Sequence, residues 1–468
     1  MIKIILGVLI TVFVLVSTVV VLYWRDINHD PSTQDLLIFF GLVPVAFSLL
    51  ILMPFFIKKW YDDQQEKKNN PELAEEKQQK EESVAEEIEW IKLNVFSSGA
   101  LSALGENESI WDELKNFKSP ELDQQLLNGY GLSILSYRIS EIDDLIAMDE
   151  EAEAESILNT RQRRMEALLK LQLEQNTETL WQVAEHIKQS ALFYEGQLVH
   201  EYRMHPAWID PNANTAEDHS TERAVEQVPR LNQLHIHLIL AEDLLHTWDE
   251  SSTQELLAEY LNQLGYIPQK FHVEHHYWGK ETAYKNWLDL LQQIEKTTES
   301  VSLMIAVDSE IDQDTVDEKT WVSDQYIPSE FIGSCCVAPD SVLINGLEPQ
   351  KTIKIALNER RLFNTLEQLN NDKLEQYEEE QAFVIQLDDI TDLKVVKQLE
   401  KNFGDTPIEQ HHYLYVKQSV GQTENIAKVF GFIVALQGSE ELMTMVYSCD
   451  QPRTQALIQT SEKQDVPV

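Results

Sequence analysis

The chain has 468 residues, with 37 Lys and Arg against 79 Asp and Glu and a formal net charge of −42. A chain this acidic does not track a phosphate backbone, because nucleic-acid binding rests on Lys and Arg displacing counterions, so nucleic-acid readers are excluded. Three cysteines, two of them adjacent, cannot build a disulfide framework or a four-thiolate zinc site.

Residues 4–23 and 36–57 hold no charged side chain. At 1.5 Å per residue each stretch covers about 30 Å, the thickness of a bilayer's hydrocarbon core, and predicts a transmembrane helix. Tyr23, Trp24, Trp60 and Tyr61 flank the two stretches as interfacial aromatics do. The connecting loop has Arg25 against Asp26, Asp30 and Asp35, whereas Lys3, Lys58 and Lys59 lie at the outer ends. The positive-inside bias then puts both termini and the main body in the cytoplasm. The absence of ionisable groups within the spans argues for an anchor over a transporter.

Residues 1–61 therefore read as a hairpin and 62–87, rich in Glu, Lys and Gln, as a charged tether too polar for a core of its own. Beyond it, short apolar runs alternate with longer amphipathic ones. Strands are predicted over 88–96, 131–137, 234–240, 301–307, 335–343, 383–387, 412–416, 430–436 and 442–447. Helices are predicted over 108–117, 140–173, 177–189, 252–264, 282–296, 358–377, 392–402 and 452–460. The run VSLMIAV at 301–307 reads as a buried central strand, and 309–328 as a long loop. Such alternation predicts a mixed α/β cytoplasmic region. The turn-rich stretch 206–229 divides it into an N-terminal domain at 88–205 and a C-terminal domain at 230–468, two halves of similar design being compatible with the pattern.

Few residues suggest chemistry. As a strand, Phe271-His272-Val273-Glu274-His275-His276 would put His272, Glu274 and His276 on one face, and His235 and His237 would share a face in LHIHLIL. Three imidazoles and a carboxylate can hold zinc, yet no helical HExxH spacing exists and nothing in the sequence joins the two clusters. The expectation is satisfied or solvent-facing histidines, with no metal or cofactor. Cys335 and Cys336, in a Gly-Ser-Cys-Cys setting, could present a nucleophile as in condensing enzymes of thiolase-like layout. On a strand their side chains would point to opposite faces, and buried packing is the expected role for both, as for Cys449.

Gly129-Tyr130-Gly131 lacks the third glycine of a dinucleotide fingerprint, and Asp312, Asp314 and Asp317 lack the glycine and terminal Glu of a calcium loop. Arg161, Arg163 and Arg164 form a basic island after Asp149, Glu150, Glu151, Glu153 and Glu155, and ion pairing within one helix is expected. No catalytic residue emerges.

The passage Leu93-Asn94-Val95-Phe96-Ser97-Ser98-Gly99-Ala100-Leu101-Ser102-Ala103-Leu104-Gly105, closing on Ile110-Trp111, resembles the opening of the adaptors that accompany lipase effectors of the bacterial type VI secretion system. The strand at 301–309 is similar to that family's C-terminal domain. The resemblance, over roughly 88–447, implies a non-enzymatic adaptor at the bacterial inner membrane. Its partners would be a lipase-type effector and the secretion spike protein, and it supplies no catalytic residue. Two rival readings are a thiolase-like acyl-transfer enzyme using Cys335 or Cys336, and an immunity protein that blocks a lipase toxin.

Overall fold

The computed structural model describes residues 88–152, 159–201, 228–323, 326–359, 361–371, 373–417, 420–421 and 425–461, with seven helical positions before residue 88. The chain divides into two compact units, Met1–Glu87 and Ile88–Val468. In the first unit the described positions are Phe13, Ser17, Thr18, Val20, Arg25, Val43 and Met53. The expected spans at 4–23 and 36–57 otherwise lie outside the described residues, as does the tether at 62–87. Among the described residues no helix is long and apolar enough to cross a membrane. The two-pass hairpin, and the inner-membrane location drawn from it, are corrected accordingly: the structure supports neither.

The second unit is built on one mixed sheet. Its first set of strands is β1 (Glu89–Ser102), β5 (Gln233–Ala241), β6 (Phe271–Trp278), β7 (Ser300–Ser309) and β8 (Glu330–Pro339). Its second set is β9 (Lys351–Leu357), β10 (Val384–Gln386), β11 (Tyr413–Tyr415), β12 (Thr444–Tyr447) and β13 (Gln455–Thr460). The order across the sheet is β11-β10-β12-β13-β9-β1-β8-β7-β5-β6, with the short β2 (Gly105–Glu106) paired to β1. A small hairpin of β3 (Glu121–Leu127) and β4 (Ser133–Ser136) stands apart.

Counted outward from the centre, both sets run first, fifth, fourth, second, third. Directions repeat as well. β5 is parallel to β6 and β7, and β8 is antiparallel to β7 and β1. In the same way β10 is parallel to β11 and β12, and β13 is antiparallel to β12 and β9. The sets join through antiparallel β1 and β9, from Glu89↔Leu357 to Val95↔Lys351. The separate two-domain α/β body expected from the linker at 206–229 is thus corrected: β1 pairs directly with β8 and β9, and one sheet runs through both parts.

Helices cover the faces of this sheet. α1 (Glu108–Lys115), α2 (Ser140–Ala152), α3 (Thr160–Gln175), α4 (Thr177–Glu201) and α5 (Glu250–Gln263) precede α6 (Ala283–Glu295) and α7 (Gln313–Val322); α8 (Leu362–Gln368), α9 (Leu393–Phe403) and α10 (Ala427–Ala435) follow. α6 and α10 occupy equivalent places, each between the third and fourth strands of its set. They meet in one core cluster, where Trp287 and Phe432 make an edge contact with centroids 5.5 Å apart. The other face of the first set is covered by α3, α4 and α5 through Met165, Leu168, Leu180, Val183 and Leu257. The other face of the second set is covered by α8 and α9 through Leu366, Leu399 and Phe403.

β7 shows why an unbroken apolar run belongs at the centre. Val301, Leu303, Ile305 and Val307 face one core, Met304 and Ala306 the other, so both faces are dry. Polar side chains fix the helix starts: Asp249 accepts hydrogen bonds from the amides of Ser251 and Ser252 to open α5, and Asp392 accepts from Lys394 to open α9.

Several elements depart from expectation. Residues 430–435 of the strand expected over 430–436 belong to α10, with Leu436 as its cap, and residues 455–460, expected as part of a helix, form β13. The single helix expected over 140–173 is two helices. β9 and α7 arise where no strand or helix was expected.

Candidate active site at the meeting of the two strand sets

In layered α/β sheets, ligands bind beyond the carboxyl ends of the parallel strands. Here the carboxyl ends of β10 and β12 come together beside the amino ends of α6 and α10. Asp388, two residues beyond β10, is buried at 6% exposure and gathers four donors. Lys428 Nζ on α10 lies 2.6 Å from its Oδ1, and the Ser448 hydroxyl donates to the same oxygen at 3.1 Å. Gln386 Nε2 and the Cys449 amide donate to Oδ2 at 2.9 and 2.5 Å. Lys428 also pairs with Asp450. Burial opposes the charge on Lys428, but Asp388 and Asp450 outweigh it and hold its pKa above the usual lysine value.

Cys449 lies two residues beyond β12. It is the one cysteine of the three that is only partly buried. Its backbone amide donates to Asp388, which sets the thiol beside that carboxylate. Burial, then the nearby Asp388 carboxylate, push the thiol up to about 12, against the pull of Lys428.

The first strand set contributes from the amino end of α6. Tyr284 is 1% exposed and its hydroxyl has no hydrogen-bond partner. Burial raises its pKa, and the charges of Asp388 and Asp450 raise it further. Lys280, just before α6, acts on Asp389: burial works against ionisation there, but hydrogen bonds from Thr391 and the charges of Lys417 and Lys280 hold this carboxyl below its usual range. The cluster thus draws on both halves of the sheet.

Cys335 and Cys336 lie inside β8, fully buried on opposite faces, one in each core cluster. Burial raises both thiols, Cys336 to about 12, and no base adjoins either among the described residues. Neither is placed to attack a substrate, which removes these two positions from the thiolase-like reading. The signal that could have found Cys449 is local: a thiol flanked by Ser448 and Asp450 at a strand's carboxyl end.

The basic island is not a set of pairs within one helix. Arg161 spans from α3 to Asp243 and Asp308, and Arg164 to Glu330, with Asp143 on α2 as a further partner. Asp312 serves as the amino cap of α7, accepting from the Thr315 amide. Gly129 and Gly131 lie between β3 and β4, Gly131 at φ +73°. The histidines of β5 and β6 do come together. His235 stands opposite His272 and His237 opposite Glu274. Burial pushes His237 down to about 3, and the neighbouring imidazoles add to it. A crevice of about 1070 Å³ opens beside Lys92, Asn94, Thr352, Lys354 and Gln459, and its described lining holds neither cysteine nor histidine.

No family model matches the chain, and no curated protein matches it. Among solved structures it is similar to a ketosynthase from module 6 of the bacillaene synthase of Bacillus subtilis 168, at 8% identity over 79% of this chain and 72% of that one, with a TM-score of 0.43. It is also similar to the ishigamide ketosynthase/chain length factor, at 9% identity over 78% and 98%, with a TM-score of 0.38. A third is a point variant of OleA from Xanthomonas campestris, at 11% identity over 50% and 76%, with a TM-score of 0.28. The fold is a mixed α/β one, with a single strand order repeated in two sets. The expected role, a membrane-anchored, non-enzymatic adaptor that loads a lipase effector onto a secretion spike, is corrected here. No family or curated match ties the chain to such adaptors, and among the described residues no helix is long and apolar enough to anchor one in a membrane.

Proposed function

We propose that the protein transfers acyl groups, with Cys449 as the nucleophile in place of Cys335 or Cys336. The observation that supports this most is that the one cysteine reaching the surface sits against a carboxylate, Asp388, which accepts from the Cys449 amide at 2.5 Å and which Lys428 and Ser448 hold in place. A nucleophile, a base and a group that orients the base form the arrangement covalent catalysis requires. At neutral pH Cys449 is a thiol. Attack on an activated acyl carbonyl forms the sulfur–carbon bond as the thiol proton passes to Asp388. The bond to the leaving alcohol or thiol then breaks, and the leaving group takes that proton. Acceptor attack on the enzyme thioester completes the transfer and restores the thiol. Lys428 keeps the Asp388 carboxylate aimed at sulfur and offsets its charge.

The test is intact-mass analysis of the full chain after incubation with acyl-thioester donors of graded chain length. A single acyl adduct, mapped to the Cys449 peptide and absent from Cys449→Ser, is expected. Asp388→Asn should slow its formation by roughly 10²–10⁴-fold, the usual contribution of a general base. An adduct on another residue, or none with any donor, would overturn the proposal.

A further inference from the structure

At the edge of the sheet, far in sequence from the cysteine, β5 and β6 bring two histidines and a glutamate to one point. The parallel register sets His237 opposite Glu274 and Ile239 opposite His276. Alternation sends all three polar side chains to the same face. His237 Nδ1 lies 3.1 Å from His276 Nε2 and 3.5 Å from Glu274 Oε2, and His276 Nε2 lies 3.9 Å from the same oxygen. A tetrahedral zinc ion with bonds of about 2.0–2.2 Å holds its ligand atoms roughly 3.3–3.6 Å apart. The three separations bracket that spacing.

We propose that His237, Glu274 and His276 form a binding site for a divalent transition metal of the zinc class. Two imidazole nitrogens and one carboxylate oxygen are the donor set such ions favour. The site is firm on one side and open on the other. His237 is 6% exposed and fixed on an interior strand, whereas the Glu274 side chain is 52% exposed. His276 is braced by Trp278, with ring centroids 5.4 Å apart. Three protein donors beside solvent leave one coordination position for water or a ligand. The site stands apart from the acyl-transfer reading and does not depend on it. An ordinary hydrogen bond between the two imidazoles, with a carboxylate nearby, is the competing account, and it binds no metal.

The full-length chain, purified without a histidine tag and stripped with a chelator, should be titrated with Zn(II), and with Co(II) as a coloured reporter. One equivalent should bind, and bound Co(II) should show the intense visible absorption of a four-coordinate centre. Glu274→Gln and His276→Ala should each weaken binding by about 100-fold or more, at or beyond the upper end of losses seen for supporting residues. His272→Ala, one row along the sheet, should leave both affinity and spectrum unchanged. If His276→Ala fails to fold, Glu274→Gln at the exposed position carries the comparison alone. Absence of saturable metal binding by the native chain, or undiminished affinity in Glu274→Gln, would overturn the proposal.

Discussion

Arg161 Nη2 on α3 lies 2.8 Å from Asp308 Oδ1 at the end of β7, and both side chains are sealed from solvent, at 9% and 1% exposure. The second Asp308 oxygen has no partner, and the other arm of the guanidinium holds Asp243. One cation therefore balances two carboxylates at the carboxyl ends of β5 and β7. Removing one partner of a buried pair costs far more than the pair itself contributes, since the remaining charge stays in low dielectric. Arg161→Ala should destabilise the fold by about 3–5 kcal/mol, read from the midpoint of chemical denaturation. Asp308→Asn should cost less, because it removes a charge instead of stranding one.

The same cluster predicts a pH dependence. Glu310 is 3% exposed and accepts a hydrogen bond from Tyr326. Burial, reinforced by the Asp308 charge, raises its carboxyl from 4.5 to about 7. A carboxyl whose pKa is raised on folding binds its proton more tightly in the native state, so stability falls as pH rises between the two values. From about pH 4.5 to about pH 7 the native chain should lose a few kcal/mol through this group and then level off. Glu310→Gln should flatten that part of the profile. An unchanged slope in the variant would assign the effect elsewhere.

Thiol labelling separates the three cysteines. Under native conditions an alkylating reagent should modify Cys449 alone, and Cys335 and Cys336 only after denaturation. Because the reactive species is the thiolate and Cys449 ionises at about 12, its labelling rate should climb about tenfold per pH unit across the neutral to mildly alkaline range. A plateau near pH 8 would contradict the assigned environment.

Gly438 is held where no larger residue fits. A Cβ there would lie 2.9 Å from Trp111 Cζ2 and closer still to the Thr444 hydroxyl. The indole cannot retreat without losing the 2.8 Å hydrogen bond from its Nε1 to the Val434 carbonyl. Gly438→Ala should therefore cost about 1–3 kcal/mol, the range for overpacking, measurable as a lowered melting temperature.

Much of the sheet was legible in the residues. β5 and β7 carry dense β-branched and apolar runs, and the structure places strands there. The failures share a physical cause. Residues 430–436 are apolar on every side because α10 is enclosed all round, and such a segment has no helical period to detect. β13 was obscured by the polar residues at 451–455 and by Gln455 and Gln459, which sit in a mixed environment near the strand's ends. β9 did carry a signal: Ile353 and Ile355 face the core while Lys354 points away from it, the alternation of a half-buried strand. Ion pairs such as Arg161 to Asp308 join positions 147 apart, and no local window reveals them. The cluster around Asp388 was illegible for the same reason, since α6 and the ends of β10 and β12 meet only after the sheet has formed; Cys449 alone carried a local cue, its place between Ser448 and Asp450.

β1 and β9 meet along one antiparallel seam. Two copies of a single plan, laid edge to edge in opposite directions, amount to a dimer carried on one polypeptide. Severed from its twin, either copy would bare a ragged row of unpaired amides and carbonyls along Ile91, Leu93 and Val95 or along Ile353 and Ile355. Fragments expressed alone should clump or pair with themselves, and mixing the two should rebuild the parent by strand complementation.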